Sequence, residues 1–290
     1  MTAPPPFEPL IESAPLAWAD APTFCAADAD GSSCAWYHRV WQYLRLLGVI
    51  TSVRTNTDFL VRAFRDTRGD DSTLVALITG SADYSLLAHV KHACDLDHRR
   101  LDVTVVDRCA TALRLNEWYG NRVGMAVETR CADVLDYTVD RPVDLICTHN
   151  FMGRFDADGR RRLVARWNAC LKPGGRVITT QRIRPNSDLI QARYSEVEAR
   201  DLSLRVAGLA RARPDIDVDP DELADAVYTY AIRKGTYVIR ADREILEPFT
   251  EQGFEIVQAD EAGSSERLRD RPSSTAGGDT YRLRVIARKC

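Results

Sequence analysis

ITGSADYSLL, Ile78 to Leu87, closes the apolar run LVALIT (74–79) and leads into a helical pattern carried by Leu86, Leu87 and Val90. A strand that turns sharply into a helix is where nucleotide-binding folds keep a glycine loop, yet Gly80 is the one glycine present. Three readings are open for it: a decayed phosphate loop, a loop for another ligand, or a plain strand-to-helix turn. Further strand-length apolar runs follow at VTVV (103–106), MAVETRC (125–131), VDLICTH (143–149) and RVITTQ (176–181). Between them lie helical patterns at Leu113 and Trp118, and at Leu163, Val164, Trp167 and Leu171. This alternation predicts an α/β fold, a doubly wound parallel sheet with crossover helices on both faces.

Four features in a fixed order narrow the reading. Gly80 follows the first strand, and Asp107 ends the second in TVVDR. Asp133 follows the third in CADVLD, and LKPGG (171–175) stands before the fifth. Over roughly residues 73–182 this order resembles the class I S-adenosylmethionine-dependent methyltransferases, with LKPGG the most specific piece. The strands expected from FEIVQA and YRLRVIAR, around a polar loop AGSSERLRDRPSSTAGGD, agree with that family's last two. The resemblance implies a three-layer, mostly parallel seven-stranded sheet of Rossmann-like methyltransferase type.

An acid at the tip of the second strand accepts hydrogen bonds from both ribose hydroxyls, as in dinucleotide sites. Taken alone, Asp107 reads equally as a turn or cap residue, and Asp133 as a turn start. By resemblance Asp107 holds ribose and Asp133 the adenine amino group, with Ala132 and Val134 beside the ring. Aligned on the family's acid-x-Gly-x-Gly-x-Gly loop, Ile78, Ala82 and Tyr84 depart from the pattern and only Gly80 agrees. S-adenosylmethionine carries no phosphate, so such a loop tolerates Ala82, while Asp83 offers a carboxylate to the ligand's cationic end. The implied cofactor contacts are Gly80, Ser81, Asp83, Tyr84, Asp107, Arg108, Ala132, Asp133, Val134 and Thr148, with Asp83 and Tyr84 facing the amino-acid tail.

Methyl transfer from a sulfonium starts from an activated leaving group, so alignment and desolvation matter more than a protein nucleophile or a metal. The acceptor is expected at the loop after the fourth strand, THNFMGRF (148–155). There His149 is either the general base or a strand-end cap, and Asn150 orients the acceptor. Phe151 and Arg154 continue that loop toward the acceptor. Trp36, Tyr37 and His38 belong to a helix predicted over about 33–47, with Trp41 and Tyr43, and are expected to line the acceptor side of a lid. A second helix is expected near 56–66. His89 and His92 with Cys94 or Asp97 are discounted as a metal site, and no metal is expected.

The totals are those of an ordinary soluble globular protein. The chain has 290 residues, 45% hydrophobic and 28% charged, with a net charge of −3. A duplex binder would carry a basic excess, so nucleic acid is not an expected partner. No apolar run approaches the length of a membrane span and no secretory pattern opens the chain, which points to a cytoplasmic protein, while enclosure by the expected cap and insertion favours a small-molecule substrate. A homodimer is compatible with this reading. The eight cysteines have no CxxC pair and read as small buried hydrophobes in a reducing compartment, not as a disulfide or zinc framework.

The expected organisation is an N-terminal extended arm and helical cap (1–70), a cofactor-binding sheet domain (71–185), a helical insertion or lid (186–240) and the last helix and strands of the sheet domain (241–290). The expected reaction is methyl transfer to a small amine, hydroxyl or thioether, with an amino-acid-like acceptor among the options. The alternatives are cyclisation or aminocarboxypropyl transfer from the same cofactor, and a noncatalytic binding protein on the same fold.

Overall fold

A computed structural model describes residues 5–25, 33–50, 53–67, 72–262 and 280–290. The polar loop expected over 262–279 lies almost wholly outside the described residues, as does most of the break before Thr73. Three helices come first: α1 (Leu10–Phe24), α2 (Ala35–Leu46) and α3 (Thr57–Arg65). The alternating region follows as β1 (Thr73–Thr79), α4 (Ser85–Leu96), β2 (Arg100–Asp107), α5 (Ala110–Arg122), β3 (Glu128–Cys131), β4 (Val143–His149), α6 (Ala157–Cys170) and β5 (Leu171–Ile183). Then come β6 (Gln191–Ala192), α7 (Glu196–Arg211), α8 (Pro220–Arg233), β7 (Thr236–Tyr237), α9 (Arg243–Glu251), β8 (Phe254–Glu261) and β9 (Tyr281–Lys289).

Seven strands form one sheet in the order β3-β2-β1-β4-β5-β9-β8, and β6 pairs with β7 in a small separate ribbon. β9 runs antiparallel to both β5 and β8, while β1 to β5 are parallel. The doubly wound architecture expected from the alternation is therefore present. Its period-2 logic is visible in β1: Leu74, Ala76 and Ile78 enter the core shared with α1 to α5, whereas Leu77 enters the core shared with α6 and α9. Strand order reverses between β1 and β4, which opens a crevice above their carboxyl ends.

LKPGG sits one step later in the structure than the sequence predicts. The helix α6 ends at Cys170, and the five residues open β5 instead. Val143 pairs with Leu171 but Leu145 pairs with Arg176, so Lys172–Gly175 form a bulge, with Gly174 at φ +77. A left-handed residue there is strained for anything but glycine.

The extended arm expected at the N-terminus is a helix. Leu10, Ser13, Ala14, Ala17 and Ala21 are all buried, at spacings of three and four. Small residues on that stripe let α1 pack closely on α2 and compensate for Pro15 and Pro22 inside it. The proline content masked an alanine-lined helix face.

Candidate functional site

A cavity of about 700 Å³ opens above the crevice between β1 and β4, within the size range of small-ligand sites. Its floor comes from the strand ends: Gly80 and Ser81 after β1, Asp107 and Arg108 at β2, Ala132, Asp133 and Val134 after β3, His149 and Asn150 at β4. Its roof comes from α2, through Trp36, Tyr37, His38 and Trp41, and from α8, through Tyr230. The roof is built by packing between those helices. Tyr37 stacks on Trp41 at 5.0 Å and meets Tyr230 at 5.7 Å, and Trp36 meets Tyr230 at 6.1 Å. Arg39 pairs with Glu222 at 2.6 Å, and the Tyr43 hydroxyl donates to the carbonyl of Asp217 at 2.6 Å.

Gly80 is held at φ +64, and a Cβ built there would overlap the Phe151 ring. This glycine is required twice over, by conformation and by space. Asp107 accepts the backbone N–H of Cys109 at 2.8 Å, which orients its carboxylate at the cavity edge. Burial pushes its pKa up to about 6, against the opposing pull of the His38 charge. Asp133 accepts the N–H of Leu135 at 2.9 Å, so it both shapes its turn and lines the cavity.

The second half of the loop behaves differently from expectation. Asp83 lines the cavity, but its carboxylate is already paired with the Arg45 guanidinium at 2.6 Å and accepts from the Trp41 indole at 3.1 Å. Arg45 also pairs with Glu8 at 2.7 Å, all three side chains being buried. Burial opposes the Glu8 charge, but Arg45 and the neighbouring His89 and Ser85 outweigh it and hold the carboxyl below its ordinary range. Burial likewise opposes the Arg45 charge and is outweighed by Asp83 and Glu8, so its pKa rises further.

Tyr84 does not face the cavity. Its ring is fully buried, stacked on Tyr119 at 4.9 Å, and its hydroxyl pairs with Ser13 Oγ at 2.9 Å. The position that carries the family's third glycine is turned to the back of the loop, where α1 and α5 enclose it. Thr148 is also fully buried beneath the floor rather than in the lining.

His149 and Asn150 are positioned by a chain of hydrogen bonds. Arg282 Nη1 donates to Asn150 Oδ1 at 3.0 Å, which turns Asn150 Nδ2 toward His149 Nε2 at 3.2 Å. His149 Nε2 is thereby the acceptor, and Nδ1–H donates to Thr180 Oγ1 at 2.6 Å. Asn150 sits at φ +52, a left-handed position that asparagine tolerates better than most residues. Phe151 and Arg154 complete this side, as expected.

Sequence reasoning missed the cations on the β5 side of the cavity, Arg182, Arg184 and Lys234. Arg182 and Arg184 end or follow β5, and Lys234 caps α8. A basic residue at a strand or helix end is common, so nothing in the one-dimensional pattern distinguished them. It also missed Cys34 and Cys109 in the lining. The discounted His89 group has structural partners: His89 bonds Thr57 and the Ser85 carbonyl, and Phe7 stacks on His92.

No protein-family model matches the chain, and no curated protein matches it. Solved structures do. The N-methyltransferase NodS from Bradyrhizobium japonicum WM9, in complex with S-adenosylhomocysteine, is 15% identical, with 97% of this chain and 99% of that one covered at a TM-score of 0.51. A protein of Galdieria sulphuraria with a provisional assignment as a sarcosine dimethylglycine methyltransferase is 11% identical over 81% of this chain and 85% of its own, at 0.51. A geranyl diphosphate methyltransferase bound to its substrate and sinefungin is 12% identical over 82% and 78%, at 0.50. The chain has the fold of the small-molecule S-adenosylmethionine-dependent methyltransferases. Among the described residues, no helix is long and apolar enough to cross a membrane.

Proposed function

We propose that the protein is an S-adenosylmethionine-dependent methyltransferase acting on a small acceptor. The observation that carries this reading is the convergence of Gly80, Asp107 and Asp133 around one cavity at the strand-order reversal. The residues fit the cofactor: a carboxylate at the β2 tip for ribose, Ala132, Asp133 and Val134 for the adenine, and a turn at Gly80 whose lack of a side chain lets Phe151 close on the loop. Bound there, S-adenosylmethionine supplies a methyl group on an activated sulfonium. The chain's own task is to align the acceptor and exclude water, which the aromatic roof of α2 and α8 serves.

Cofactor and acceptor occupy different halves of the cavity in this reading. The ends of β1, β2 and β3 take the cofactor, and the side formed by β4, β5 and α8 takes the acceptor. Arg154, Arg182, Arg184 and Lys234 all line that second side. Such a set of cations favours an acceptor bearing a carboxylate or another anionic group, in keeping with an amino-acid-like molecule. His149 is the base where the acceptor is an amine or hydroxyl, and Asn150 is the group that yields its place to the incoming acceptor proton. Enclosure by α2 and α8 disfavours a nucleic acid.

The test incubates the protein with S-adenosylmethionine and a panel of small amines, amino acids, hydroxy acids and thioethers, and identifies products by mass. S-adenosylhomocysteine and a methylated acid are the expected products. Methylthioadenosine would instead indicate cyclisation or aminocarboxypropyl transfer. Failure of both S-adenosylmethionine and S-adenosylhomocysteine to bind at micromolar concentrations overturns the reading. In the same assay His149→Ala lowers turnover by roughly 100-fold or more if His149 is the base, and unchanged turnover removes that role.

A further inference from the structure

Three of the eight cysteines, 84 residues apart at their extremes, converge on one point. Cys25, Cys34 and Cys109 place their sulfurs within 4.8 Å of one another, and the Cys25 and Cys109 sulfurs are 3.4 Å apart. Among the described residues this is the one group of histidine, cysteine and acid side chains with such convergence. Each cysteine ends a helix. Cys25 caps the C-terminus of α1, Cys34 the N-terminus of α2, and Cys109 the N-terminus of α5.

Two of the three sulfurs stand at helix N-termini, where the backbone dipole stabilises negative charge. The Cys25 and Cys109 thiols are within hydrogen-bonding reach of each other, and Cys25 also meets the Thr111 hydroxyl at 3.2 Å. His38 is buried against Cys109, and its Nδ1 has no hydrogen-bond partner.

We propose that Cys25, Cys34 and Cys109 form a binding site for a thiophilic divalent cation, zinc in particular, which ties α1 and α2 to α5 beside the cofactor cavity. A tetrahedral site with zinc–sulfur bonds of about 2.3 Å needs sulfurs ~3.8 Å apart, within the spread of separations found here. Three thiolates supply three corners of the tetrahedron and leave the fourth to a small ligand such as water. Binding releases the thiol protons, and the cation balances the charge that three thiolates would otherwise concentrate. Cys34, His38 and Cys109 also line the cavity next to Asp107, so the cation fixes the roof at the ribose end. The site adds to the proposed methyl transfer without taking part in it, and it holds whether or not that function is correct.

The test uses the full-length protein, stripped of metal under reducing conditions and titrated with Co²⁺ and then Zn²⁺. One equivalent of Co²⁺ should give thiolate-to-cobalt charge transfer and the intense visible bands of tetrahedral cobalt, which Zn²⁺ then bleaches. Cys25→Ser, Cys34→Ser and Cys109→Ser should each weaken binding by at least about 100-fold, beyond the 10- to 100-fold that loss of an outer-shell partner costs. Cys290→Ser, at the exposed C-terminus, should leave it unchanged. Circular dichroism on every variant separates loss of the site from loss of the fold. Octahedral cobalt spectra, or wild-type affinity in the three variants, overturn the proposal. So does an intact mass two hydrogens low in protein purified without reductant, with six titratable thiols, since that marks the cluster as a redox pair.

Discussion

Replacing Arg45 with Met removes the cation from a buried group that holds two carboxylates, Glu8 at 2.7 Å and Asp83 at 2.6 Å. Breaking a buried ion pair from one side typically costs about 3–5 kcal/mol, because the remaining charge is left without compensation. An upper limit follows from protonation. A carboxyl with an ordinary pKa of about 4.3 can be neutralised at pH 7 for roughly 3.7 kcal/mol, since each pH unit is worth about 1.36 kcal/mol. At pH 5.5 the same neutralisation costs only about 1.6 kcal/mol.

The loss in Arg45→Met should therefore be about 3–5 kcal/mol at pH 7 and smaller by up to ~2 kcal/mol per neutralised carboxyl at pH 5.5. The sign is fixed by proton counting. In the variant the folded chain holds protons that the unfolded chain has released, so its stability falls as pH rises across this window. In the wild type the Glu8 pKa is depressed, so its contribution is complete above the ordinary carboxylate range and is lost only as pH falls through the depressed value. Urea denaturation of both proteins at pH 5.5 and 7.0, followed by fluorescence and circular dichroism, measures the difference. A loss under about 1 kcal/mol at pH 7, or an equal loss at both pH values, refutes the account.

Two further changes separate the floor of the cavity from its support. Asp107→Asn should weaken S-adenosylhomocysteine binding by calorimetry roughly 10- to 150-fold, the worth of one charged hydrogen bond of about 1.5–3 kcal/mol, and an unchanged affinity would remove Asp107 from the ribose site. Tyr84→Phe loses only the bond to Ser13, so stability should fall by about 1 kcal/mol with cofactor affinity intact. A tenfold weaker Kd in that variant would return Tyr84 to the ligand.

The sheet was legible because its signals are local. LVALIT, VTVV and VDLICTH are short apolar runs bounded by turn residues, and each became a strand within a few residues of its expected limits. Asp107 and Asp133 were found because a strand tip in a parallel sheet has a fixed place relative to the ligand crevice. What escaped depends on contacts between distant segments. Glu8 and Arg45 are 37 residues apart, and Cys25 and Cys109 are 84 apart, so no spacing rule joins them. The α1 helix escaped for a different reason: two prolines argued against it, and the alanine stripe that offsets them has little hydrophobic weight of its own.

The departures in ITGSADYSLL have a common cause once α1 and α2 are in place. A loop of three glycines yields its backbone to a ligand and has no side chains with which to brace itself. Here each non-glycine side chain near the loop's end reaches away from the cavity or into a brace: Asp83 to Arg45 and Trp41, Tyr84 to Ser13 and Tyr119, Ser85 to Glu8 and Arg45. Every one of those partners outside the sheet domain lies on α1, on α2 or on the residues just before α1. Restoring glycine at 82 and 84 would therefore not restore a better cofactor loop. It would detach the loop from the helices that roof the site, while Gly80 already meets the steric demand made on the loop, the close approach of the Phe151 ring.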